Sequence, residues 1–222
     1  MHAAPNKHRY LVTGTDTDVG KTRVTAALAL ALSSAGEKPT VVKLVQTGLS
    51  PGVPGDAVRA GKAAATRYVE LARFAKAADP WSASVAQNVS AVHAYELVDT
   101  LNSIEGAIVA EGSGGITVPL NPHEHFGNVA LQAKLEVVIA VGLRKGCLNQ
   151  ALLTVNLCES LKIPLVGAVL VERWQPAEEG YVHDVTRALQ GKLRILGILP
   201  FEPNETVSVA EGAKLFASLV AQ

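Results

Sequence analysis

Residues 9 to 36, RYLVTGTDTDVGKTRVTAALALALSSAG, decide how the rest of the chain is read. The opening RYLVTG is an apolar run too short for a helix, and its final glycine allows a turn, so it reads as a buried strand. The closing TRVTAALALALSSAG is rich in alanine and leucine and has helical length. Between them lies GTDTDVGKT, residues 14 to 22. In such a turn successive backbone N–H groups point at phosphate oxygens, and the following helix contributes the positive end of its dipole. Lys21 adds a full positive charge, and Thr22 offers a hydroxyl to a magnesium ion. Asp18, Val19, Gly20, Lys21, Thr22 and Arg23 are therefore candidate nucleotide-binding residues. The spacing departs from the commonest pattern, because position 15 is Thr15 and the first glycine falls one place earlier, at Gly14.

Outward from this turn, short runs rich in valine, isoleucine and leucine recur at 40 to 45, 106 to 112, 136 to 142, 164 to 171 and 194 to 200. Each has strand length. Helical stretches are expected at 20 to 35, 90 to 104, 146 to 161, 178 to 190 and 207 to 220. The alternation predicts an α/β fold with a mostly parallel sheet, helices on both faces and a P-loop NTPase-like order. One domain over 1 to 222 is expected. Residues 48 to 89, with GLSPGVPGD and DPWSASVAQN, read as an irregular region crossing the carboxyl edge of the sheet, where such folds bind ligands.

Composition narrows the class. Of 222 residues, 48% are hydrophobic and 18% charged, and 20 Lys+Arg balance 20 Asp+Glu, which argues against disorder and against a general nucleic-acid binder. The apolar stretch at 127 to 143 is interrupted by Lys134 and Glu136, so no membrane span is expected. The start, MHAAPNKHRY, lacks the apolar middle of a signal peptide, and Cys147 and Cys158 suit packing in a reducing, cytoplasmic setting. His123 and His125 read as loop histidines without a third metal ligand. Trp81 and Trp174 are too isolated to form a stacking surface.

Three segments, GTDTDVGKT, VVKLVQTG at 41 to 48 and EGSGGITVPL at 111 to 120, together resemble the dethiobiotin synthetase family. A fourth, GLRKGCLNQALLT at 142 to 154, is similar to that family's helix start after its fourth main strand. The likeness runs in order and spacing from about residue 9 to about residue 201. It implies an ATP-dependent cyclo-ligase that joins carbon dioxide to 7,8-diaminopelargonate, closes a ureido ring and releases ADP and phosphate.

By resemblance, Lys43 and Lys21 are the catalytic cations, with Lys43 holding a carbamate and the moving phosphoryl group; replacing Lys43 is expected to abolish turnover and leave the fold intact. Thr17, Lys43 and Thr47 are the implied contacts to the reactive end of the substrate. Thr22, Asp56 and Glu111 are the implied Mg2+ ligands, and Gly112, Ser113 and Gly114 give backbone room for nucleotide phosphate. Gly146, Cys147, Leu148 and Asn149 would clasp the substrate's carboxylate tail for the neighbouring subunit's site, which implies a homodimer.

The chain also departs from the family pattern. Leu44 stands where proline usually follows the active-site lysine, and Gln150 replaces a common histidine. An Asn-Asp pair that reads the base appears here as Val171 and Glu172, while Leu199, Pro200 and Phe201 still resemble the base-flanking segment. Phosphate binding is thus better supported than adenine recognition, and other nucleoside triphosphates are expected to serve. Two rival classes are a partition or metal-insertion type ATPase acting as a dimeric switch, and a small-molecule kinase. The former commonly carries a lysine early in the phosphate loop, where this chain has Asp16.

Overall fold

A computed structural model describes residues 8 to 221. In chain order the elements are β1 (Arg9–Gly14), α1 (Lys21–Ser34), β2 (Thr40–Lys43), β3 (Gln46–Thr47), α2 (Asp56–Ala63), β4 (Arg67–Glu70), β5 (Arg73–Phe74), α3 (Pro80–Gln87), α4 (Ala94–Ser103), β6 (Ile108–Glu111), α5 (Phe126–Gln132), β7 (Glu136–Gly142), α6 (Cys147–Ser160), β8 (Leu165–Val171), α7 (Glu179–Leu189), β9 (Ile195–Leu199), α8 (Glu205–Lys214) and α9 (Ala217–Val220).

Seven strands form one sheet in the order β4-β2-β6-β1-β7-β8-β9, and every pairing in it is parallel. Adjacent residues of each strand point to opposite faces. Leu11, Val42, Ile108 and Ile139 therefore enter one apolar core with Leu97, Leu101, Val155 and Val185 of α4, α6 and α7. Their neighbours Val12, Val41, Val109 and Val138 enter a second core with Val24 and Leu28 of α1, Ala60 of α2 and Val209 of α8. Both faces are covered, which is why the strands read as continuous apolar runs rather than as alternating ones.

From β1 the chain builds β2, β4 and β6 on one side, then crosses back to place β7, β8 and β9 on the other. Such a reversal of strand order opens a crevice at the carboxyl end of the central strand. That end is Gly14, where the phosphate loop begins.

The structure differs from the sequence reading in four places. The strand expected at 40 to 45 stops at Lys43, and the chain steps across to a two-stranded ribbon of β3 and β5. The region 48 to 89 is more regular than expected, since it holds α2, the edge strand β4, β5 and α3. Tyr68 is 44% exposed, so β4 lacks the wholly apolar signature of the inner strands. Residues 126 to 132 form a helix that was not expected, capped by His125, whose Nδ1 accepts from the Gly127 N–H at 3.1 Å. The last expected helix is two, α8 and α9.

Candidate active site

The phosphate loop is built around its displaced glycine. A Cβ on Gly14 would lie 2.8 Å from both the Asp16 carbonyl oxygen and the Val19 side chain. The earlier glycine is thus required by the way the loop folds back over it. Gly20, the residue before α1, has φ +97°, which favours glycine, and Lys21 donates from Nζ to the Asp16 carbonyl at 2.8 Å. Gly14→Ala is expected to weaken nucleotide binding by about tenfold or more, since relieving overpacking of this kind costs about 1–3 kcal/mol. A titration with ATP checks it, and unchanged affinity would refute the steric account.

Four side chains converge beside this loop from four elements. Lys43 ends β2, Glu111 ends the inner strand β6, Asp56 starts α2 and Thr22 lies in the first turn of α1. The Lys43 ammonium lies 2.6 Å from Asp56 Oδ2 and 2.8 Å from Glu111 Oε1, and it donates to the Gly112 carbonyl at 3.1 Å. Thr22 donates to Glu111 Oε1 at 3.0 Å. Lys43 is only 2% exposed and β2 is an inner strand, so the lysine is a buried cation held by two carboxylates. Glu111 Oε2 is buried and has no hydrogen-bond partner among the described residues.

The cluster sets its own titration. Burial pulls the Lys43 pKa down, but Glu111 and Asp56 outweigh burial and hold it above its ordinary value. Burial pushes the Asp56 carboxyl up, and the Lys43 charge and hydrogen bond reverse this to leave it below its ordinary value. A depressed carboxylate contributes stability above its unfolded pKa and loses it as pH falls through the folded one; a raised lysine contributes below its unfolded pKa and loses it as pH rises through the folded one. Unfolding midpoints in urea are therefore expected to fall for the parent as pH drops below the ordinary Asp value of 3.8, and more steeply than for Asp56→Asn. Parallel curves would show that Asp56 is not linked to folding.

The cluster opens into a cleft of about 770 Å³ lined by Thr17, Asp18, Lys21, Thr22, Lys43 and Thr47, with Asp56, Glu111, Ser113, Gly114 and Phe201 further round the wall. Its rim at the start of α2 and the loop before it is held by residues that the sequence reading did not single out. Gln46 Oε1 accepts from the Asp56 N–H at 2.9 Å, fixing the start of α2. Arg73, paired with Glu70, donates to the Ser50 and Val53 carbonyls and so anchors the loop between β3 and α2.

Several residues expected at the nucleotide are engaged in contacts within the protein. Val171 is fully buried against Gly20, where a Cβ would come within 2.8 Å of its Cγ1. Glu172 accepts from the Ala177 and Phe201 N–H groups, both at 3.0 Å, so both its oxygens tie loops together. Arg23 donates to Ser208 and to the Pro200 and Glu202 carbonyls, clamping the turn after β9. Leu199 is buried at the strand end, and the Val19 side chain packs on Gly14 and Gly142. Arg23 also lines the cleft, and so do Arg173, Glu202 and Pro203. The only sequence signal of these last three is that they follow family motif residues, Arg173 directly after Glu172 and Glu202 and Pro203 in turn after Phe201.

Gly146, Cys147, Leu148 and Asn149 begin α6 and do not line this cleft. The Cys147 side chain is buried, 3.3 Å from the Tyr181 hydroxyl, and its N–H donates to the Arg144 carbonyl at 3.0 Å. Arg144 and Gln150, on either side of these four residues, both bond to Asp16 of the phosphate loop.

Comparison with known proteins shows the family. The AAA domain family model matches residues 8–207. An ATP-dependent dethiobiotin synthetase from Nitrosospira multiformis is 35% identical over 208 residues, 88% of this chain and 89% of the relative. Those from Rhodococcus jostii and Anaeromyxobacter dehalogenans are 35% and 32% identical, over 91% and 95% of this chain and 90% and 96% of their own lengths. Among solved structures, a ParA family ATPase from Chlorobium tepidum superposes with a TM-score of 0.59 at 13% identity, covering 98% of this chain and 99% of that one. The cell division ATPase MinD from Pyrococcus furiosus gives 0.58 at 16%, covering 96% and 97%. These two likenesses are of fold, which many chemistries share. With a buried lysine and two carboxylates gathered at its phosphate loop, and with identities of 32 to 35% along 88 to 95% of its length, the chain belongs to the family of ATP-dependent dethiobiotin synthetases, which are ligases.

Proposed function

We propose that the chain joins carbon dioxide to 7,8-diaminopelargonate at the expense of ATP, closing the ureido ring of dethiobiotin. The observation that carries this reading is the Lys43 ammonium, buried between Asp56 and Glu111 within the same cleft as Lys21 and Thr22. Carbon dioxide adds to one amine as a carbamate. The carbamate oxygen takes the terminal phosphoryl group of ATP, with ADP leaving, and the second amine then attacks the carbonyl carbon and expels phosphate. Negative charge gathers at one place throughout. Lys43 stabilises it from the β2 side and Lys21 from the phosphate loop. Thr17 and Thr47, both on the cleft wall, suit hydrogen bonds to the carbamate and the amines.

Thr22, Asp56 and Glu111 would hold a magnesium ion. The unpartnered Glu111 Oε2 and a donor set made wholly of oxygen suit a hard divalent cation. When bound, such an ion neutralises triphosphate charge and polarises the group being transferred. The start of α6 would receive the substrate's carboxylate for a partner subunit, so the working form is a homodimer; the proposed setting is cytoplasmic. No helix among the described residues is long and apolar enough to cross a membrane.

Incubation with diaminopelargonate, bicarbonate, ATP and magnesium tests the whole reading. A ureido product formed in step with phosphate supports it. Phosphate release without product, or phosphoryl transfer to an acceptor hydroxyl, would sink it in favour of a switch ATPase or a kinase.

Nucleotide choice is expected to be loose. Val171 is apolar and covered, Glu172 is occupied by backbone N–H groups, and strong discrimination needs buried polar groups that the wrong base leaves unpaired. Cytidine, uridine and guanosine triphosphates should support turnover within about tenfold of ATP, a gap of about 1.4 kcal/mol. Values of kcat/KM for each triphosphate check this, and a hundredfold preference for ATP would overturn it.

A further inference from the structure

We infer that the guanidinium of Arg173, a residue outside the family motifs, binds the phosphate chain of the nucleotide. The inference rests on reading the phosphate loop as the triphosphate site. Three residues follow one another where β8 ends, and two of them are turned away or occupied: Val171 is buried on Gly20, and Glu172 accepts two backbone N–H groups. Arg173 alone of the three lines the cleft.

Its position singles out phosphate rather than base. Arg173 Cδ lies 3.7 Å from where a Cβ would sit on Gly20, the residue before α1. The N–H groups beyond Gly20 are those that would face phosphate oxygens, so the guanidinium, two bonds further along the side chain, is within reach of the same oxygens. The base-side wall, at Phe201, Glu202 and Pro203, belongs to the turn after β9.

Charge points the same way. Arg173 has no hydrogen-bond or ion-pair partner among the described residues, although it stands close enough to Arg23 for their like charges to repel. Burial first and Arg173 second lower the pKa of Arg23, while Glu205 and Glu202 oppose them. Arg23 is committed to Ser208 and to the Pro200 and Glu202 carbonyls. One cation of the pair is therefore held by the protein, and the other has no partner among the described residues. Two neighbouring guanidiniums, one without a counter-ion, are unfavourable until an anion arrives, and a guanidinium fits phosphate oxygens with two parallel N–H groups.

The test is a titration of the parent, Arg173→Ala and Arg173→Lys with the magnesium complexes of ATP, GTP and CTP, beside steady-state rates. Arg173→Ala should weaken all three nucleotides alike, by about tenfold for one charge-assisted contact, with kcat within about twofold of the parent. Arg173→Lys should recover most of the affinity, and thermal unfolding of both variants should match the parent because no protein partner is lost. Unchanged ATP affinity in Arg173→Ala would overturn the inference while the parent still binds ATP. A loss confined to one base would also overturn it, by moving the contact to the base. A parent that binds no triphosphate would remove the phosphate-loop reading itself, and Arg173's role with it.

Discussion

Lys43→Ala will slow ring closure at least about a hundredfold, the scale of losing one contact to charge that develops in a transition state. It will also destabilise the fold, contrary to what a solvated lysine at a strand end would do. The Lys43 side chain is 3% exposed and lies between the carboxylates of Glu111, 2% exposed, and Asp56, 24% exposed. Truncation leaves two carboxylates facing one another with no cation between them. Breaking a buried pair in this way costs about 3–5 kcal/mol, because the remaining charge has lost its compensation. Two measurements keep the effects apart. Urea unfolding gives the stability loss, and rates taken below the onset of unfolding give the catalytic loss. Lys43→Arg retains the charge but misplaces it, so it should regain stability and remain slow. A Lys43→Ala protein that cyclises at near the parent rate would remove Lys43 from the chemistry. One that unfolds at the parent midpoint would mean that its carboxylate contacts contribute little to folding.

That reversal shows where the sequence is legible and where it stops. Inner strands announce themselves, since a strand covered on both faces must be apolar at every position, as VVIAV is in β7. The edge strand β4, RYVE, is covered incompletely and carries two charged residues among four, so nothing local distinguishes it from a loop. Gly14 illustrates a different limit. A glycine one place early looks like a weakened motif in a one-dimensional pattern, yet only the folded loop reveals the 2.8 Å approaches that exclude a Cβ there. Lys43 and Glu111 were legible as residues, but their burial depends on β2 and β6 being neighbours, 68 positions apart in the chain. Likewise, Val171 and Glu172 lie at the expected strand end. Which of the three residues there faces the cleft is set by the register of β8 against β9 and by loop contacts to Phe201, and these are tertiary facts.

Shared fold is also a poor guide to the reaction at this loop. The ParA family and MinD structures overlay on nearly the whole chain, so the sheet order alone is compatible with a nucleotide-driven switch. The chemistry of this chain's loop is local. Asp16 carries a negative charge into the phosphate loop, where it accepts from the Thr17 N–H at 2.7 Å and meets Arg144 and Gln150 from the approach to α6. The phosphate loop and the start of α6 are therefore mechanically joined within one chain. They would nevertheless serve different substrates if α6 receives the tail of a molecule reacting next door.

That arrangement makes complementation the sharpest test of the dimer. Lys21→Ala disables the phosphate loop of its own subunit and leaves the start of α6 untouched. Asn149→Asp does the converse. Asn149 is exposed in the first turn of α6, where a carboxylate is favourable to the helix but repels a second carboxylate and competes for the same N–H groups. Each variant alone should be nearly inactive. In a mixed dimer, the phosphate loop of the Asn149→Asp subunit would face the intact α6 start of the Lys21→Ala subunit, giving one working site, while the other site carries both defects. Random exchange makes half of the dimers mixed, so recovery should approach about a quarter of the parent rate, as follows from two-fold symmetry. Mixing before and after exchange, with mixed dimers verified by two affinity tags, separates recovery from additive residual activity. Mixed dimers that form and stay inactive would mean that each subunit binds the whole substrate by itself, and the carboxylate would then have to be held within the 770 Å³ cleft of a single chain.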